Sequence, residues 1–174
     1  MSKTARGEDH RGSEMNTDAP KRIICAVRGG PESRDTATYA IDLALQLDAR
    51  LTFFRVMDAE FLNHATIGPL RVVYAELREV AKFAMLILCD RAQRRGVAKV
   101  DYAISEGNVR EKLRLQVAGA QGDILVMGRP IRSPGTNIFK ADEIDAFIAE
   151  LEQEGDLQVF SVSPSRTDQE PLMP

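Results

Sequence analysis

Two glycine-bearing turns hold the residues best suited to chemistry in this chain. Arg28-Gly29-Gly30-Pro31 follows the apolar run Ile23-Ile24-Cys25-Ala26-Val27, and Gly128-Arg129-Pro130 follows Ile124-Leu125-Val126-Met127. Glycine lets backbone amides approach a phosphate closely, and a guanidinium grips anions through paired hydrogen bonds. If both runs are parallel strands of one sheet, Arg28, Arg129 and Arg132 meet at one crevice. There they offer a site for a small anion or for the carboxylates of an acidic partner. The plainer alternative leaves them as solvated loop charges, paired with Asp58 or Glu32. Ser33 lies near the first turn, but no histidine stands near enough in sequence to activate it, so no acyl-transfer set assembles.

The remaining reactive side chains are sparse. His10 and His64 are the only histidines, too few and too far apart for a metal site or a proton relay. Cys25 and Cys89 fall inside apolar patterns with no zinc or redox spacing, and are expected in the core. Asp142, Glu143, Asp145, Glu150, Glu152 and Glu154 read as the solvated face of an amphipathic helix, with Ile144, Phe147, Ile148 and Leu151 turned inward. Phe53, Phe54 and Phe83 are expected in the core as well. No catalytic residue emerges, so the chain is not expected to be an enzyme.

These turns need a scaffold, and the pattern around them supplies one. Strands are predicted over residues 22–28, 50–57, 98–105, 123–127 and 157–162, with helices over 31–47, 69–95, 109–120 and 141–153. Pro31 suits a first helical turn, and Gly96 and Gly122 are natural helix stops. Alternating strands and helices imply a parallel sheet covered on both faces. Residues 1–20 and 164–174 are polar or proline-rich and are expected to be disordered tails around a domain at 21–163. The last strand, Leu157 to Val162, has no proline or lysine to guard an exposed edge, which predicts a two-fold homodimer through it.

Composition narrows the classes. The chain has 174 residues, 44% hydrophobic and 28% charged, with a formal net charge of −3. That balance argues against general nucleic-acid binding. No apolar stretch is long enough to span a bilayer, and the first twenty residues lack a signal-peptide core, so a cytoplasmic location is expected.

Lys21–Val56 resembles the opening of a universal stress protein domain: an apolar strand, a glycine turn, an alanine-rich helix, then Ala49-Arg50-Leu51-Thr52-Phe53-Phe54-Arg55-Val56. Ser105–Gly128 resembles the family's second half, with Gly107 before a helix and Gly122-Asp123-Ile124-Leu125-Val126-Met127-Gly128 after it. The resemblance covers residues 21–163. It implies an open five-stranded parallel α/β sheet of the adenine nucleotide alpha hydrolase-like type, order 3-2-1-4-5, with helices on both faces. It also implies dimerisation through the last strand and a stress-response or regulatory role, with a possible protein partner that the sequence does not identify.

Many members of that family bind ATP through a loop reading Gly, two residues, Gly, nine residues, then Gly-Ser or Gly-Thr. Here Gly128 keeps the first glycine, but Ile131 stands at the second, after Pro130. Ala141-Asp142 replaces the closing Gly-Ser, with Glu143 next. Proline removes an amide donor, isoleucine blocks close approach, and two carboxylates repel a triphosphate. Arg28 stands where the family usually has an acidic residue that helps hold the nucleoside. The expectation is therefore a non-catalytic module that does not bind ATP in the family manner and needs no cofactor. The rival uses Gly135-Thr136 as a displaced Gly-Thr, with the next helix starting near Asn137, to bind ATP or AMP with magnesium and hydrolyse slowly. The candidate crevice comprises Arg28, Val56, Met127, Gly128, Arg129, Arg132, Gly135 and Thr136.

Overall fold

Three consecutive residues of the first strand, Ile23, Ile24 and Cys25, are each at most 1% exposed, as a strand covered on both faces requires. The computed structural model describes residues 21–29, 32–57, 69–129 and 141–163. Both expected tails, both histidines, Asp58, Pro130, Ile131, Arg132, Gly135 and Thr136 lie outside the described residues. The strands are β1 (Arg22–Ala26), β2 (Arg50–Met57), β3 (Val100–Glu106), β4 (Ile124–Gly128) and β5 (Gln158–Val162). All pair in parallel, in the order β3-β2-β1-β4-β5. Cys25 sits opposite Phe53 on one side and Val126 on the other, fixing the register at the sheet's centre.

The helices are α1 (Glu32–Gln46), α2 (Pro69–Arg94), α3 (Val109–Ala120) and α4 (Ala141–Gln153). Strand alternation sorts them onto two faces. Ile23, Cys25, Leu51, Phe53 and Val126 pack with Ala37, Ala40 and Ile41 of α1 and with Met85, Cys89 and Ala92 of α2. Ile24, Phe54, Leu125 and Met127 pack with Leu113 of α3 and with Ile144, Phe147 and Leu151 of α4. The inward set expected for the acidic helix is correct, with Ile148 only half-buried. Asn108 caps α3, its side-chain oxygen accepting from the Glu111 amide at 3.2 Å. The third strand starts at Val100 and not at residue 98. Gly96 adopts φ +104° and the Val97 amide donates back to the Ala92 carbonyl at 3.1 Å, so the chain is still closing α2 there.

Phe83 departs from expectation. Phe53 and Phe54 are buried, but Phe83 is 66% exposed. α2 is rotated so that Tyr74, Ala81, Met85, Cys89 and Ala92 face the sheet. Small side chains at 81, 89 and 92 let the helix approach closely, which leaves its large aliphatic residues on the outside. Among the described residues, no helix is long and apolar enough to cross a membrane.

Candidate ligand crevice at the strand switch point

β1 stands between β2 and β4, so successive connections leave it in opposite directions and a crevice forms beyond its carboxyl end. β1 extends by one rung as the Val27 amide donates to the Phe54 carbonyl at 2.9 Å. The chain then turns at Gly29, whose φ of +85° favours glycine. Ser33, in the first turn of α1, bends back over this turn. Its hydroxyl oxygen accepts from the Arg28 amide at 3.2 Å and from the Gly29 amide at 3.0 Å. Both turn amides are thus already satisfied within the chain.

Arg55 comes from the third position before the end of β2, counting Met57 as the first, with the parity of Leu51 and Phe53, on the face of α1 and α2. A Cβ on Gly29 would lie 2.6 Å from its Nη1, 3.0 Å from Cζ and 3.1 Å from Nη2. The guanidinium therefore lies against the bare glycine. Partial burial holds its pKa below the ordinary arginine value. Among the described residues, no carboxylate lies within ion-pair distance of it.

Gly128 closes β4 on the same face. A Cβ there would meet Thr36 Oγ1 at 2.8 Å. Thr36 is 1% exposed, and its carbonyl oxygen accepts from the Cys25 thiol at 3.9 Å. The glycine lets α1 seat against the end of β4. Arg129, one residue on, turns to the other face. Its amide donates to the Val162 carbonyl at 2.8 Å, its Nε to Ser161 Oγ at 3.1 Å, and its Nη2 meets Asp145 of α4 at 2.8 Å. Val56 and Met127 belong to the apolar core under α3 and α4.

The site residues expected from sequence are thus divided. Arg28 and Gly128 stand at the switch point, Arg129 is held by α4 and β5, and Val56 and Met127 pack beneath. Arg55, Ser33 and Thr36 complete the arrangement. Arg55 was legible only as a lone charge at a core-facing position of an apolar run. The acidic helix is more than a solvated face: Glu143 pairs with Arg110 and Glu150 and Glu154 pair with Arg114, and both guanidiniums lie over the Phe147 ring.

Thiol and metal chemistry find little support. Burial raises the Cys25 thiol far above its ordinary range, and burial with the Asp101 charge pushes Cys89 up to about 11. Neither is a thiolate at neutral pH. Among the described residues, no group of three or more His, Cys, Asp or Glu could hold a metal ion.

The universal stress protein family model matches residues 20–140. The chain belongs to the universal stress protein family. Solved structures agree on the fold. Universal stress protein UspA from Lactobacillus plantarum aligns with a TM-score of 0.65 at 18% identity, covering 83% of this chain and 99% of that one. A universal stress protein family member from Burkholderia pseudomallei aligns at 0.59 and 22% identity, covering 83% and 96%. One from Arabidopsis thaliana, solved with AMP bound, aligns at 0.53 and 14% identity, covering 86% and 95%. At these identities the likeness is one of fold. No curated protein sequence matches the chain.

Within this family, a triphosphate mode needs open backbone amides and a close glycine approach at the switch point. The loop after β4, where the family holds the phosphates, lies outside the described residues, which show only the floor of the crevice. There Ser33 accepts from the β1 turn amides, Arg55 lies against Gly29, and Thr36 lies beside Gly128.

Proposed function

We propose that this family member is a non-catalytic, cytoplasmic stress-response module that does not take up ATP in the triphosphate mode. One observation carries the reading: Ser33 Oγ accepts from both amides of the β1 turn. The sequence adds to it. Pro130, Ile131 and the Ala141-Asp142-Glu143 run stand where a phosphate loop needs amides, a glycine and a hydroxyl. A homodimer through the open edge of β5 completes the proposal, since β5 pairs with β4 alone among the described strands. The test is thermal unfolding with MgATP. Native protein is expected to show no ligand-induced shift, whereas Ser33→Ala, which frees two donors, is expected to gain one. A clear shift in the native protein that Ser33→Ala leaves unaltered would reject the proposal.

A second reading has its own support. The Arg55 guanidinium is half-buried and has no carboxylate beside it among the described residues, and the Arabidopsis relative was solved with AMP bound. A singly phosphorylated nucleotide or a small anion suits that charge better than a triphosphate does. Arg129 contributes little to this reading, because Asp145 neutralises it. Stabilisation by AMP that disappears in Arg55→Gln would establish it, and the same stabilisation in both proteins would dismiss it.

A further inference from the structure

β5 is less open at its outer edge than its sequence suggests. The Gln158 amide donates to the Asp123 carbonyl at 3.0 Å, and the Val162 carbonyl accepts from the Arg129 amide at 2.8 Å. Bonded residues alternate along a parallel strand, so Gln158, Phe160 and Val162 serve β4, while Val159 and Ser161 turn their backbone groups outward. Those outward groups are what a second strand would pair with. One of them is already taken. The Val159 amide donates to Glu152 Oε1 at 3.4 Å, a carboxylate that reaches over from α4. The acidic side chains of α4 divide between two flanks. Glu150 and Glu154 turn to Arg114 of α3. Asp145 and Glu152, about two turns apart, serve β4 and β5 instead. Asp145 holds Arg129, whose Nε donates to Ser161 Oγ at 3.1 Å. The Val159 side chain packs in the core under α4, which keeps its amide within reach of Glu152.

We infer that Glu152 guards the β5 edge against a second copy of this chain: it caps the first outward amide of the strand, and the copy must displace it before the two edges can pair. The inference rests on the strand-edge dimer proposed above. A two-fold axis that joins two such edges runs them antiparallel and sets both α4 helices on one face of the joined sheet. The strands then lie about 4.8 Å apart, and the two Glu152 carboxylates flank the same seam. Each has lost its amide and meets a like charge, and both effects weaken the dimer. The native contact is long and lies between groups open to solvent, so an incoming strand can exchange it. The guard therefore sets the strength of association and does not abolish it.

Amide hydrogen exchange of the full chain, read by NMR across a concentration series, tests the guard and the dimer separately. In the native protein, protection of the Ser161 amide is expected to rise with concentration. Glu152→Ala alters an exposed helical position that alanine suits. It is expected to move the midpoint of that rise roughly tenfold lower in concentration. In dilute solution its Val159 amide is expected to exchange faster than in the native protein. A rise confined to the variant is the same result in stronger form. Ser161 protection that rises in both proteins, with an equal or weaker midpoint for Glu152→Ala, overturns the guard and leaves the strand-edge dimer standing. Ser161 protection independent of concentration in both proteins rejects the dimer and the guard with it.

Discussion

Arg55 and Arg129 occupy equivalent places, near the carboxyl ends of β2 and β4, yet their surroundings differ in kind. Arg129 points to the α4 face and finds Asp145 at 2.8 Å and Ser161 at 3.1 Å. Arg55 points to the α1 face and finds the bare backbone of Gly29. What separates them is the third element. α4 is acidic and delivers a carboxylate to the strand end; the β1 turn delivers a glycine and a serine that is already engaged. Whether an arginine at a strand end is available to a ligand is therefore decided by the helix packed over it.

The largest way to disturb this contrast is to unseat α1 from the sheet. Gly128→Val places branched atoms where Thr36 Oγ1 already stands at 2.8 Å from a bare Cβ. Urea unfolding is expected to show a loss of about 2–3 kcal/mol, the upper range of overpacking, with the m-value unchanged. An equal midpoint for variant and native protein would mean that α1 does not need the glycine. Next in size is the charge itself. Arg55→Gln keeps length but removes the cation, and is expected to weaken AMP or phosphate binding roughly tenfold, about 1.4 kcal/mol. Arg129→Gln, by the same titration, is expected to leave that binding unaltered. The reverse pattern would show that the two strand ends have been assigned to the wrong roles. The smallest effect belongs to the ion pair. Arg129→Ala is expected to cost no more than about 1 kcal/mol in chemical unfolding, because both side chains are largely exposed and solvent screens them.

The scaffold was readable because its signals are local. Apolar runs of five to eight residues, glycine and proline stops and the alternating order lead to the sheet that is observed, with strand ends off by one or two residues where α2 unwinds at Gly96. Phe83 was not readable. A hydrophobic period on a helix marks a buried stripe but does not say what buries it, and in α2 small residues at 81, 89 and 92 claimed the sheet. The site was half readable. Arg28 and Gly128 follow from the turns. The hold of Asp145 on Arg129 joins residues 16 apart in sequence, and the lean of Arg55 on Gly29 joins two strands, so neither has a local signature.

The central proposal is that this family member does not take up ATP in the triphosphate mode. Isothermal titration of the full chain with MgATP tests it most directly. The account predicts no saturable heat at ligand concentrations up to about 1 mM, an affinity weaker than roughly −4 kcal/mol. A saturable isotherm in the micromolar range, about −8 kcal/mol, would contradict it.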